Sequence, residues 1–256
     1  MRMDGSAVNW KSISADLLRF GAAIIAAAIL YGLLRQTGVY AFTANEFEGL
    51  NTVIILVGGI YSVVFAFVIF VIWGQFTDVQ NAVMRECNVL NDLLRFSDYL
   101  NPEAGREIRR GVADYSQRVL KHEWQALAQR RRDRQSDKAF SELMDTVLRT
   151  VPTAAEYDVH QRLVDIIRKA GEHRDERIAK SLTRIPPTLE RLVFTMAGVL
   201  LLLVFVYPFH HPAAGFVCFL LVALVLFLAR VVMTDTDNPF EGVCNVSPQP
   251  FGELAL

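Results

Sequence analysis

Residues 49–77 read GLNTVIILVGGIYSVVFAFVIFVIWGQFT, a run with no charged residue between Glu48 and Asp78. Roughly 20 predominantly apolar residues carry a helix across a bilayer core, so this run predicts a membrane-spanning helix over about 52–75. Three more charge-free windows follow the same logic: Phe20–Leu34 between Arg19 and Arg35, Leu192–His211 after Arg191, and Pro212–Ala229 before Arg230. They predict spans over about 18–36, 189–209 and 212–233, four in all. The first is the shortest, and Arg19 and Arg35 would have to extend along their aliphatic stems toward the headgroups. A signal peptide ending near Val39-Tyr40-Ala41 is the competing reading of that segment, although Asp4 and Asp16 ill suit a leader.

The composition agrees with a chain partly in lipid: 52% of the residues are hydrophobic and the mean hydropathy is +0.28. A net charge of −1 hides an asymmetry, because 20 of the 26 Lys and Arg lie between Thr77 and Thr188, nearly balanced there by 18 acids. That block is a mixed-charge, water-facing surface and not a nucleic-acid footprint. The sequence therefore divides into an arm and membrane hairpin (1–75), an inserted helical bundle (76–188), a second hairpin (189–233) and a tail (234–256). The predicted fold class is all-α, four transmembrane helices with the bundle inserted between spans two and three. Arg2, Lys11 and Arg19 precede the first span, whereas Glu46 and Glu48 stand without a base in the loop after it, which places both termini and the bundle in the cytoplasm.

Within the insert, Asn101-Pro102-Glu103 reads as an N-cap followed by Pro at the first helical position, and Thr153-Ala154-Ala155-Glu156 as a capping box. Val79, Val83, Cys87, Leu90 and Leu94 recur at spacings of three and four, so span two is expected to run on as an amphipathic helix. RRRDR at 130–134 reads as an exposed loop between helices.

Several chemistries find no residues to carry them. Cys87, Cys218 and Cys244 are odd in number and far apart, and His122-Glu123-Trp124 lacks the second His of a metalloprotease helix. No catalytic residue, metal or cofactor is predicted. No ionisable side chain of the kind coupled transporters use lies within the four apolar cores, and the His210-His211 pair reads as part of a turn.

What span two does carry is a pair of stripes. Gly58, Ser62 and Ala66 stand at i, i+4 and i+8, a ridge of small residues that lets another helix approach. Ile55, Gly59 and Val63 form a second stripe beside it. Both could be packing within one chain. Alternatively this face lines an apolar pore around an oligomer axis, where narrow hydrophobic constrictions gate by dewetting.

GIYSVVFAFVIFVIW in span two, then Gln75, Phe76, Val83, Glu86 and Leu90, then HEW at 122–124 and the terminal DNPF and VSPQPF segments, together resemble the bacterial bestrophin-like domain membrane proteins. More distantly, Trp73-Gly74-Gln75-Phe76 is similar to the segment closing the bestrophin pore helix. Asp237-Asn238-Pro239-Phe240-Glu241-Gly242 resembles the stretch after the last bestrophin span. The resemblance implies a homo-oligomer in the lipid bilayer of a bacterial inner membrane, pentameric like bestrophins, passing inorganic anions along an axial pore lined by span two. Two departures limit it. Ile55, Gly59 and Val63 stand where animal bestrophins place bulkier neck residues, and only Asp235, Asp237 and Glu241 remain of the acidic calcium clasp, too few oxygens for calcium.

In TDTDNPFEGVCNVSPQPF (234–251), Asp237 and Asn238 before Pro239 stop the last span, because a residue preceding proline is pushed out of the α region. Phe240 and Phe251 would anchor the stiffened tail on the cytoplasmic helices. Two functions stay open at this point: an ion channel of this kind, and a non-conducting membrane-anchored scaffold or signalling module that uses its helical bundle.

Overall fold

The computed structural model describes residues 44–241 and 245–254, together with Ala22, Ala26, Ile29, Leu30 and Leu33. Helices account for nearly all of it, and no strand occurs among the described residues. In chain order, α1 is Ala44–Ser97, α2 Pro102–Arg118, α3 Trp124–Ala128, α4 Arg134–Arg149, α5 Tyr157–Leu182, α6 Pro187–Val206, α7 Pro212–Thr236 and α8 Gln249–Leu254; a π-helical turn, Val119–Glu123, joins α2 to α3.

Three helical runs among the described residues are long and apolar enough to cross a membrane: Phe47–Ser97, Tyr157–Val206 and Ala213–Thr236. Four were expected. The first expected span, 18–36, lies outside the described residues except for the five positions named above, each helical and exposed. In the second run the apolar portion is α6, because α5 is dense in charge and Thr183–Pro186 interrupts the helix.

The chain divides into two compact units, Met1–Trp73 with Ile185–Asp237 and Gly74–Arg184 with Asn238–Leu256. In the first, Tyr61, Val68 and Ile72 of α1 bury against Val193, Leu226 and Met233, with Ile185 completing the cluster. Those α1 positions are spaced by seven and four, one face of a 3.6-residue helix. Little else is covered: only 11% of the apolar window of α1 and 22% of that of α7 is buried within the chain, so most of this apolar surface faces outward. The turn between α6 and α7 folds back on α1, with the Phe47 and Tyr207 rings edge to face at 4.9 Å. His210 tilts against Phe47 as well.

The second unit has a closed core. Val79, Val83, Cys87, Leu90 and Leu93 of α1 pack with Ile108, Val112 and Tyr115 of α2, Phe140, Leu143 and Val147 of α4, and Leu163, Ile167 and Ala170 of α5. Local chemistry sets the helix starts. The Asn101 side chain accepts from the Ala104 amide at 2.9 Å with Pro102 at the first position, and Asp133 accepts from the Ser136 amide at 2.9 Å to start α4. Arg130, at φ 58°, closes the preceding loop in the left-handed region. The expected capping box is half formed. Glu156 accepts from the Thr153 amide and hydroxyl, both at 2.8 Å, but α5 begins only at Tyr157 with no side-chain cap.

Candidate functional site

In the first unit the two stripes of α1 part company. A Cβ on Gly58 would meet a Leu200 methyl of α6 at 3.8 Å, ordinary contact, so Gly58 belongs to the edge of the packed face. Gly59 has nothing within 4 Å of that position among the described residues. Ile55 is 66% exposed and Val63 72%. Ser62 and Ala66 are also exposed, and the Ser62 hydroxyl donates to the Gly58 carbonyl at 2.8 Å, which spends its polarity on its own helix. Trp73 is exposed as well. Ile55, Gly59 and Val63 therefore make no described contact within the chain that packing would explain. They form an outward, uncharged and nearly smooth strip of helix.

At the other end of this unit, Asp237 accepts from the Ile185 amide at 3.0 Å. Asp235 lies half-buried nearby in α7. No group of three His, Cys, Asp or Glu among the described residues is placed to hold a metal ion.

In the second unit, Gln75 is half-buried and Phe76 packs on the core. Asn238 stitches the start of the tail: its oxygen accepts from Arg184 at 3.0 Å and its amide donates to the Ala128 carbonyl at 3.2 Å and to Glu241 at 3.3 Å. Pro239 is buried, and its carbonyl accepts from the Val246 amide at 2.7 Å. Phe240 and Phe251 are 5% and 0% exposed, edge to face with Trp124 at 5.0 and 6.2 Å.

Beneath Phe251 lies a feature that sequence reasoning missed. Arg177, fully buried, donates to Glu86 at 2.6 Å and pairs with Glu123 at 2.5 Å. Arg174 donates to Glu123 at 2.8 Å, to Asp137 at 2.7 Å and to the Tyr115 oxygen at 3.1 Å, while the Tyr115 hydroxyl donates to Glu86. The Arg177 guanidinium sits 5.3 Å from the Phe251 ring centroid, within cation–π range. Burial alone would strip charge from both arginines, but their partners outweigh it, Tyr115, Glu123 and Asp137 at Arg174 and Glu86, Glu123 and Tyr115 at Arg177, and hold both above the ordinary value. Burial, reinforced by Glu86, pushes the Tyr115 phenol well up, so it stays a donor. A signal was present: Glu86 falls among Val79, Val83 and Leu90, and Arg174 and Arg177 continue the stripe of Ile167 and Ala170, all at core spacing. Of His122-Glu123-Trp124, only His122 faces water; Glu123 is buried in the network and Trp124 packs on the tail.

The bestrophin-like domain matches residues 21–251. The chain belongs to the bestrophin-like family. Three crystal structures of variants of a bacterial bestrophin homolog from Klebsiella pneumoniae share its fold: one at 12% identity and TM-score 0.67, covering 95% of this chain and 96% of that one; a second at 13%, TM-score 0.67, with coverage of 95% and 96%; and a third at 13%, TM-score 0.68, covering 95% and 97%. No curated protein matches the sequence.

Proposed function

We propose that this bestrophin-like protein is a homo-oligomeric ion channel of a bacterial inner membrane that passes inorganic anions along the Ile55, Gly59 and Val63 face of α1. The observation that carries the reading is that this face is uncharged and exposed, with nothing within 4 Å of a Cβ at Gly59, while the opposite face of α1 makes the intrachain contacts. A ring of such faces makes a narrow apolar passage, and side-chain size then sets how readily it dewets. The bestrophin resemblance supports five subunits and anions as the permeant species. The basic bias around the first span supports cytoplasmic termini and a cytoplasmic helical bundle. Asp235, Asp237 and Asn238 to Phe240, with Phe251, act in this reading to end α7 and to seat the tail.

The test is reconstitution of the full chain in proteoliposomes, with cross-linking to count subunits and chloride efflux as the readout. Wild type is expected to conduct; Gly59→Phe to assemble but conduct little; Val63→Ala to conduct more. Loss of assembly in Gly59→Phe would show that the face is a packing surface. A closed oligomer without flux would leave the non-conducting scaffold.

A further inference from the structure

The second unit holds a cleft that neither the pore face nor the ion network accounts for. On α1, Met84, Cys87, Asn88, Asn91 and Leu94 share one side of the helix. Facing them are Ser247, Gln249, Pro250, Glu253 and Leu254 of the tail, and the two walls bound a cavity of about 320 Å³. That volume lies near the lower end of the roughly 300–1,000 Å³ of ligand pockets, a size suited to a small guest. The floor is apolar and buried: Cys87 is 6% exposed and Leu254 9%. The rim is amide and hydroxyl, from Asn88, Asn91, Gln249 and Ser247.

Charge decides the class of guest. Among the described lining residues Glu253 is the one carboxylate and no Lys, Arg or His accompanies it, which disfavours an anion and favours a cation. Glu253 has one long contact in the chain, 3.5 Å from the Gln249 amide. Asn88 and Asn91 offer carboxamide oxygens that make no hydrogen bond with the described chain, and an ammonium has three protons to share among such acceptors.

We propose that this cleft binds a small aliphatic amine, its ammonium held by Glu253 and the Asn88 and Asn91 oxygens and its hydrocarbon stem laid on Leu94, Leu254 and Met84. Half of the lining comes from residues 247–254, so the amine binds only while the tail is seated and its binding holds the tail there. The site is separate from the proposed pore and does not depend on conduction.

The test uses the full chain in detergent with butylammonium chloride as the probe, and potassium chloride at equal ionic strength as control. Calorimetric titration is expected to show saturable binding, and hydrogen exchange to slow across 245–254 with the amine but not with potassium chloride. Glu253→Gln, at an exposed position, is expected to weaken binding at least ~10-fold, because a charge-assisted hydrogen bond is lost. Met84→Trp, which fills the cleft from its exposed rim, is expected to abolish binding with the helical signal unchanged. The proposal is overturned by no saturable binding to wild type, by equal affinity in Glu253→Gln, or by equal protection with potassium chloride. Chloride efflux plays no part in these readouts, so their failure leaves the channel reading where it stands.

Discussion

The two units of this chain spend their apolar residues in opposite ways. In the unit of 74–184 and 238–256, α1, α2, α4 and α5 close around Leu90, Ile108, Leu143 and Leu163, all at or below 1% exposure, and the tail closes over them. In the unit of α6, α7 and the first part of α1, apolar side chains such as Ile55, Val63, Phe70, Leu202 and Val225 remain more than half exposed. A surface of that composition is stable only against lipid or other protein. The contrast teaches that one unit closes a core of its own, whereas the other leaves most of the apolar surface of its described helices uncovered. It also separates two meanings of a charged or small residue. Arg177 and Glu86 are buried together as an ion pair, and Gly59 is bare of any close neighbour among the described residues.

The comparison breaks most readily at the ion network. Arg177→Met leaves Glu86 and Glu123 buried without their shared cation, which is expected to destabilise the second unit by about 3–5 kcal/mol; denaturant unfolding followed by Trp124 fluorescence measures it. An unfolding midpoint equal to wild type would mean that the network is solvated and that the unit is less closed than described.

Phe251→Ala comes next. It removes a fully buried ring from Arg177, Tyr115 and Trp124, with an expected cost of about 3 kcal/mol. Limited proteolysis should then cut within the tail while the first unit stays intact. A tail as resistant as wild type would show that Phe240, Val246 and Leu254 suffice to seat it.

The adjacent glycines sharpen the contrast within α1. Gly58→Phe forces a ring against Leu200 and is expected to cost about 1–3 kcal/mol through overpacking. Gly59→Phe is expected to leave unfolding of the detergent-solubilised chain unchanged. Equal losses for the two variants would mean that Gly59 is covered within the chain after all.

The smallest expected effect is at the entry to α5. Bonds from the Thr153 amide and hydroxyl hold the Glu156 carboxyl below the ordinary carboxylate range. A depressed folded pKa contributes stability that is present above the unfolded value and is lost as pH falls through the folded one. Glu156→Gln should therefore flatten a shallow acid-side slope in stability below about pH 4.5 and change little at neutral pH. An unchanged slope would place the acid sensitivity at other carboxylates.

Where one residue's neighbours in sequence decide the outcome, the sequence was enough. Charge-free runs marked α1, α6 and α7, because a helix in lipid satisfies its own backbone and needs only apolar length. Asn101-Pro102 marked the start of α2, because a cap bond spans three residues. Thr153–Glu156 misled by a few residues, because the same short-range bonds serve a turn as well as a helix start. What only the tertiary structure decided are contacts between distant residues. Glu86 meets Arg177 across 91 positions, and the register of two helices brings them together. Periodicity puts Gly58 and Gly59 on neighbouring stripes of a uniformly apolar run but does not say which stripe another helix covers. Which of them faces Leu200 depends on where α6 lies, a choice set by the packing of Tyr61, Val68 and Ile72. A helix with apolar residues all round carries no preferred face of its own, so its neighbours select one.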